Sequence, residues 1–185
     1  MISRPVVIGP IVGWSLGDVT SGLIIGAFIE LLYLYVIPIG VVVPPNCSIV
    51  TGISTVLHIL ICSETKVPSC LIVILAYTIP LGVIFKQMEI LQRQINVKII
   101  HYIDSAVSRG RLSVVRLISI PFFVMVFLKA SLFSIIAIVL GLAIVKAIIG
   151  VFQQQVWDGI SAVYRLLPLL GLAVAFNTFY VKMRE

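Results

Sequence analysis

The amino-acid sequence predicts an all-α, polytopic integral membrane protein. Of its 185 residues, 61% are apolar and only 11% are charged, whereas soluble domains carry about 45–50% apolar and about 25% charged residues. Long apolar runs alternate with short polar segments, and the mean hydropathy is +1.21. So few polar side chains could not cover a soluble surface, but lipid accepts apolar side chains directly. We expect one membrane domain over residues 1–185.

The first third of the chain does not divide into simple crossings. The apolar run 6–16 is short and is interrupted by glycine and proline, while a helix needs about 20 residues to span a bilayer. It predicts a half-span or re-entrant helix. A longer run at 23–43 follows, in which Pro38 and Gly40 are expected to break the helix. The run 48–62 is again too short for a comfortable crossing.

The stretch 86–116 is basic, with six Lys or Arg against two acidic residues. Its apolar residues recur at helical spacing, which predicts an amphipathic helix ending near Arg109. Because cytoplasmic loops collect Lys and Arg, we expect this helix on the cytoplasmic side. The polar loops at 64–66 and 152–159 are then expected on the side opposite the cytoplasm. Lys182 and Arg184 are expected on the cytoplasmic side again.

Three further segments predict membrane crossings. Residues 67–85 form the first, with a kink at Pro80. In the next apolar run Lys129 predicts a break, with a short segment before it and a full helix over 131–150. Residues 160–181 form the last.

Glu30 is the first candidate for function. A carboxylate inside an apolar run is costly and should face protein, water or substrate. Carboxylates accept paired hydroxyl hydrogen bonds, as sugar recognition requires. The alternative is a protonated or Arg-paired Glu30 that fixes helix packing, and the sequence leaves both open.

Asp18 and Asn46 are the other two candidate binding residues. Asp18 precedes an apolar run and also fits a helix cap. Asn46 follows two prolines, in irregular backbone that membranes tolerate mainly where it lines a cavity or is buried in protein. Apolar segments broken by Pro and Gly indicate a transporter's binding site. His58 fits a packing role better than a ligand role.

No signature of catalysis, metal or cofactor binding occurs in the sequence. Phosphate-loop, serine-nucleophile and zinc-protease motifs are absent. Cys47, Cys62 and Cys70 match no metal spacing and are predicted to be inert buried thiols. The Lys and Arg residues that give the net charge of +6 lie between the apolar segments. This distribution is typical of membrane topology and not of a nucleic-acid-binding surface. We predict no catalytic residue, no metal and no cofactor.

Polar and glycine positions follow a recognisable order in two parts of the chain. Near the N-terminus these are Arg4-Pro5, Gly13, Leu16-Gly17-Asp18, Thr20, Gly22-Leu23-Ile24-Ile25-Gly26 and Glu30, and in the basic stretch they are His101, Asp104, Gly110 and Leu112. This order resembles the IIC subunit of mannose/fructose/sorbose-type phosphotransferase systems, and the resemblance covers most of 3–180.

The resemblance implies a sugar permease subunit in the bacterial cytoplasmic (inner) membrane, not an enzyme. It implies an oligomer with a IID membrane subunit, and cytoplasmic IIA and IIB proteins that carry the phosphoryl group to the incoming sugar. Glu30 and Asn46 match positions implied to contact that sugar.

Two departures from the family pattern support an alternative. The family's Ala-Pro-Asp is Pro44-Pro45-Asn46 here, which removes a carboxylate. The chain also lacks apolar segments expected at both ends. The alternative hypothesis is therefore a shortened, non-transporting membrane scaffold or regulatory subunit.

Overall fold

The computed structural model describes residues 3–33, 44–65, 70–109, 113–152 and 154–182. All regular structure in these ranges is α-helical, which confirms the predicted all-α class. The six helices are α1 (Pro5–Ser15), α2 (Val19–Tyr33), α3 (Cys47–Thr65), α4 (Cys70–Val107), α5 (Ser113–Val151) and α6 (Gln154–Lys182).

Helices α1 and α2 form a hairpin, and its first arm, α1, is too short to cross a membrane. Pro5 opens α1, where its missing N–H costs no hydrogen bond. Gly17, with φ 87°, makes the turn, a conformation that glycine adopts without steric cost. At 1.5 Å per residue the 11 residues of α1 rise roughly 16 Å, against about 30 Å of hydrocarbon. The half-span predicted for 6–16 is thus one arm of this hairpin.

Glycines bring the backbones of α1 and α2 into direct contact. A Cβ atom on Gly9 would overlap the carbonyl oxygen of Gly22, and a Cβ on Gly22 would overlap that of Gly9. One turn farther along, a Cβ on Gly26 would overlap the carbonyl of Pro5. In lipid, small residues allow helices to pack this closely and to gain van der Waals contact.

Helices α3 and α4 run antiparallel and make the centre of the bundle. Near the middle of α3, the hydroxyl of Ser54 hydrogen-bonds with the hydroxyl of Thr78 in α4 at 2.8 Å. Around this pair pack fully buried apolar residues of both helices, including Leu57 and Ile74, and Val145 of α5 joins them. The hairpin of α1 and α2 packs against α3. The hydroxyl of Ser48 in α3 donates to the carbonyl of Ser3, just before α1, at 2.7 Å.

A disulfide joins the far ends of α3 and α4. Cys62 and Cys70 have Cα atoms 6.1 Å apart and are covalently linked, whereas Cys47 is free. The prediction of inert thiols is therefore wrong for Cys62 and Cys70. The sequence did not indicate that two helices joined by a short connection turn back on each other at these two residues.

Helices α4, α5 and α6 contain stretches long and apolar enough to cross a membrane: Cys70–Ser105, Pro121–Val151 and Val156–Val174. Large apolar side chains such as Phe127 and Phe176 are exposed on them, as expected where lipid covers the surface.

Three boundaries differ from the sequence predictions. The amphipathic stretch is not a separate helix but continues α4 to Val107, and Pro80 lies inside α4. Helix α5 runs unbroken past Lys129, because this side chain finds polar and aromatic partners on α4. Helix α6 already begins at Gln154, so residues 154–159 of the predicted polar loop are helical.

Some predictions fall on residues outside the described ranges. These are the break at Pro38 and Gly40, and the charges of Lys66 and Arg184 used for orientation.

We predict that Gly22→Ala lowers the thermal stability of the detergent-solubilised protein. The added methyl meets the backbone of Gly9, which cannot rotate away. Overpacking of this kind costs about 1–3 kcal/mol, or roughly 2–12 °C in Tm for a chain of this size.

Gly52→Ala is the matched control, since a Cβ there meets no atom within 4 Å. This substitution should leave Tm unchanged or raise it slightly, because alanine is the better helix former. Equal losses of Tm in both variants would contradict the glycine contact.

A second prediction concerns the cross-link between α3 and α4. The Cys62→Ser/Cys70→Ser double variant should lose about 2–3 kcal/mol, because an uncross-linked chain regains loop entropy when it unfolds. Cys47→Ser removes a free thiol and should leave Tm unchanged. Thermal unfolding with and without a membrane-permeant reductant checks this. If the reductant lowers the Tm of the double variant as much as that of the wild type, the cross-link is not the cause.

Candidate functional site

A polar pocket opens where α3 begins, between α3, α4 and α5. Its volume is about 380 Å³, within the range of about 300–1,000 Å³ usual for small-molecule sites. Five of its residues lie on one face of α4 at helical spacing: Phe85, Glu89, Gln92, Arg93 and Asn96. The polar side chains of the lining are Asn46, Ser48, Glu89, Gln92, Arg93, Asn96 and Lys129.

Asn46 joins α3 to α4 at the rim of this pocket. Its Oδ1 accepts the backbone N–H of Ile49 at 3.1 Å, which caps the first turn of α3. Its Nδ2 donates to Oε1 of Glu89 at 2.8 Å. The amide of Asn46 therefore lies directly beside a carboxylate from another helix.

Lys129 places a cation in the stretch of α5 that is long and apolar enough to cross a membrane. Its ammonium donates to Oε1 of Gln92, which is almost fully buried, and lies 5.1 Å from the ring centroid of Phe85. The ring face attracts a cation. Among the residues that the structure describes, no carboxylate comes within 4 Å of Lys129.

Glu30 lies at the open end of the α1–α2 hairpin. One carboxylate oxygen is 3.6 Å from a guanidinium nitrogen of Arg4, and the other accepts the N–H of Val6 at 3.4 Å. The positive end of the α1 dipole favours a carboxylate at this place. These are the contacts of the Arg-paired packing alternative. Glu30 also lies within electrostatic range of Cys47, the residue after Asn46.

Asp18 lies at the opposite end of the hairpin, before α2. Its carboxylate accepts the N–H of Ser21 at 3.0 Å and the hydroxyl of Ser21 at 2.5 Å. It has the contacts of a helix cap. Neither Asp18 nor Glu30 lines the pocket, whereas Asn46 does. The three predicted binding residues are therefore split, with Glu30 and Asn46 at one end of the hairpin and Asp18 at the other.

A polar stripe runs along α3 from the pocket towards His58. Thr51, Ser54 and Thr55 are completely buried and follow the i, i+3, i+4 spacing of one helix face. The hydroxyl of Thr55 and Nδ1 of His58 have no hydrogen-bond partner among the described residues.

Sequence reasoning missed the pocket residues of α4. The stretch 86–116 was predicted only as a basic amphipathic helix on the cytoplasmic side, and Lys129 was interpreted only as a helix break. Two signals were present in the sequence: the spacing of Glu89, Gln92, Arg93 and Asn96, and a lysine in a long apolar run. Neither could reveal that α5 faces the start of α3.

A polytopic α-helical membrane protein is defined by these features: the hairpin of α1 and α2, the long apolar helices and the charged pocket. The family model for the phosphotransferase system sorbose-specific IIC component matches residues 1–183. The chain therefore belongs to this IIC family.

Curated relatives carry names of the same kind. The chain is 27% identical over 178 residues to the "PTS system mannose-specific EIIC component" of Escherichia coli K12, covering 94% of this chain and 64% of the relative. It is 25% identical over 174 residues to the "Fructose permease IIC component" of Bacillus subtilis 168, covering 94% and 62%. The chain thus spans less than two thirds of the length of these relatives.

A solved structure has the same fold. It is described as "Structure of membrane protein", and it superposes with a TM-score of 0.68 at 26% sequence identity. The likeness covers 97% of this chain and 70% of the solved one.

We predict that Asn46→Asp destabilises the protein although aspartate is an equally good helix cap. The substitution replaces the donor to Glu89 with a second carboxylate. The loss should be about 1–3 kcal/mol, the cost of leaving a partly buried polar group without its partner. Thermal unfolding at pH 7 measures it.

The double variant Asn46→Asp/Glu89→Gln tests the cause. The glutamine amide can donate to the new carboxylate, so the double variant should recover most of the lost Tm. A double variant no more stable than Asn46→Asp alone would contradict a direct interaction between the two positions.

Proposed function

We propose that this chain is the sugar-binding and translocating membrane subunit of a phosphotransferase system, multi-pass in the bacterial cytoplasmic (inner) membrane. The observation that carries the proposal is the match to the IIC family over residues 1–183. Names of relatives include mannose and fructose systems, so we propose a hexose-type sugar as substrate.

The pocket supports sugar binding by its chemistry. Glu89 supplies a carboxylate acceptor, and the amides of Asn46, Gln92 and Asn96 supply both donors and acceptors. The Oδ1 atom of Asn96 is buried without a partner among the described residues, so a ligand hydroxyl could satisfy it. Neighbouring hydroxyls of a sugar need closely spaced donors and acceptors of this kind. This argument favours transport over the scaffold alternative.

The stripe on α3 supports a route for the sugar away from the pocket. Buried hydroxyls replace water along it as hydrogen-bond partners, and Thr55 and His58 each have a polar atom left to offer. We propose that Asn46 and Glu30 contact the sugar at the pocket end, and that Asp18 contacts it at the far end. For Glu30 this requires sugar hydroxyls to replace Arg4.

Orientation follows from the two ends of α4. Glu89 lies 19 residues after Cys70, a rise of roughly 28 Å, which is close to the hydrocarbon thickness. The basic extension beyond Glu89 favours the cytoplasm, and a disulfide favours the oxidising outer side. The pocket then lies near the cytoplasmic surface, where cytoplasmic proteins can reach a bound sugar.

The partners belong to the same proposal. The sugar is phosphorylated by cytoplasmic IIA and IIB proteins, and a IID membrane subunit completes the oligomer. This chain contributes binding and passage, and the phosphoryl group is carried on the partners.

Radiolabelled hexose uptake tests the function in cells that lack their own mannose-type permease and co-express IID, IIA and IIB. We expect uptake with the wild-type chain. Glu89→Gln should lower it roughly 10- to 100-fold, because hydrogen bonds to a charged group contribute about 1.5–3 kcal/mol. Glu30→Gln should also lower uptake while the protein still inserts. Absence of uptake with all partners present would reject transport.

Asp158→Asn is the control for the loss of one carboxylate, since Asp158 is exposed and does not line the pocket. It should transport like the wild type. Membrane abundance of each variant is measured by immunoblot. Wild-type uptake by Glu30→Gln would remove Glu30 from the site and leave the pocket assignment intact.

A further inference from the structure

The pocket has a surplus of positive charge that a neutral hexose does not use. Lys129 and Arg93 face a single carboxylate, that of Glu89. Oε1 of Glu89 is already bound by Asn46. Neither cation forms an ion pair within 4 Å in the described part of the chain. Lys129 is half-buried, and a buried charge without an ionic partner is costly.

The surroundings of Lys129 hold the ammonium in place without neutralising it. Gln92 accepts one of its three N–H groups, and the ring of Phe85 covers one side. Both partners are themselves buried, Gln92 at 7% and Phe85 at 3% exposure. Two N–H groups remain for a ligand. A lysine needed only for packing would be expected to have a carboxylate partner or to extend to the surface.

We propose that Lys129 binds an anionic group carried by the sugar, so that this pocket prefers a negatively charged monosaccharide to a neutral one. The inference rests on the sugar site proposed above and adds the charge of the ligand. Two sources share this chemistry: the phosphate group of a sugar phosphorylated at the cytoplasmic side, and the carboxylate of a sugar acid.

The position of Lys129 fits such a role. It lines the same cavity as Glu89 and the amides of Asn46 and Asn96, so one ligand can place its ring hydroxyls on these groups and its anion on the ammonium. Arg93, one helical turn beyond Glu89 and exposed, adds positive charge at the rim. The opposite charges also separate the two ends of the ligand, because Glu89 repels the anion from the hydroxyl side.

Calorimetric binding by the full chain in lipid nanodiscs tests the proposal, with mannose, mannose 6-phosphate and mannuronate as probes. The wild type should bind at least one anionic sugar roughly 10- to 100-fold more tightly than mannose. Lys129→Met should abolish this preference and leave the affinity for mannose within about twofold, since methionine keeps the apolar stem. Lys129→Arg should retain the preference.

Lys98→Met is the matched control, because it removes one positive charge from the exposed basic extension and leaves the pocket lining unchanged. It should behave like the wild type. Preference for mannose 6-phosphate alone identifies the phosphorylated sugar as the ligand, and preference for both anions identifies a general anionic sugar site. Either result supports the proposal.

Three results would overturn it: no anionic preference in the wild type, an unchanged preference in Lys129→Met, or an equal loss in Lys98→Met. The uptake experiment tests the transport proposal independently of this binding experiment. If hexose uptake is absent but the preference for an anionic sugar depends on Lys129, transport is rejected and the anion site stands. If uptake is normal and the preference is absent, only the anion site is rejected.

Discussion

The contact between the backbones of α1 and α2 is the constraint on which the rest of the bundle depends. Helix α1 is too short to cross the membrane, so it must pack against protein, and it packs on α2. Gly9 and Gly22 permit this by letting the two backbones touch. The compact hairpin then leans on α3 and meets its first turn through Ser48. The start of α3, where Asn46 stands, is held from one side by this hairpin.

From the other side, α4 and α5 complete the pocket. The pairing of α3 with α4 is fixed by the Cys62–Cys70 cross-link at one end and by Asn46 and Glu89 at the other. Lys129 of α5 then reaches Gln92 across the same cavity. Buried polar groups in a low-dielectric interior are costly unless paired. Their concentration at one end of the bundle therefore favours a binding site over a purely structural core.

Family membership and pocket chemistry address different parts of the function. The match over residues 1–183 places the chain among IIC components. It does not say which side chains a ligand would meet. The pocket addresses that question, since Glu89 of α4 brings a carboxylate to the amide of Asn46 at the start of α3.

The sequence by itself determined the membrane class, the half-span at the N-terminus and the family, because composition, run lengths and motif order are local properties. It also indicated Glu30, Asn46 and Asp18 as polar groups in unusual places. Only the tertiary structure decided what they meet: Arg4 for Glu30, Glu89 for Asn46 and Ser21 for Asp18. Likewise, the unbroken α5 and the disulfide depend on contacts between residues of different helices, and a single sequence does not record which helices become neighbours.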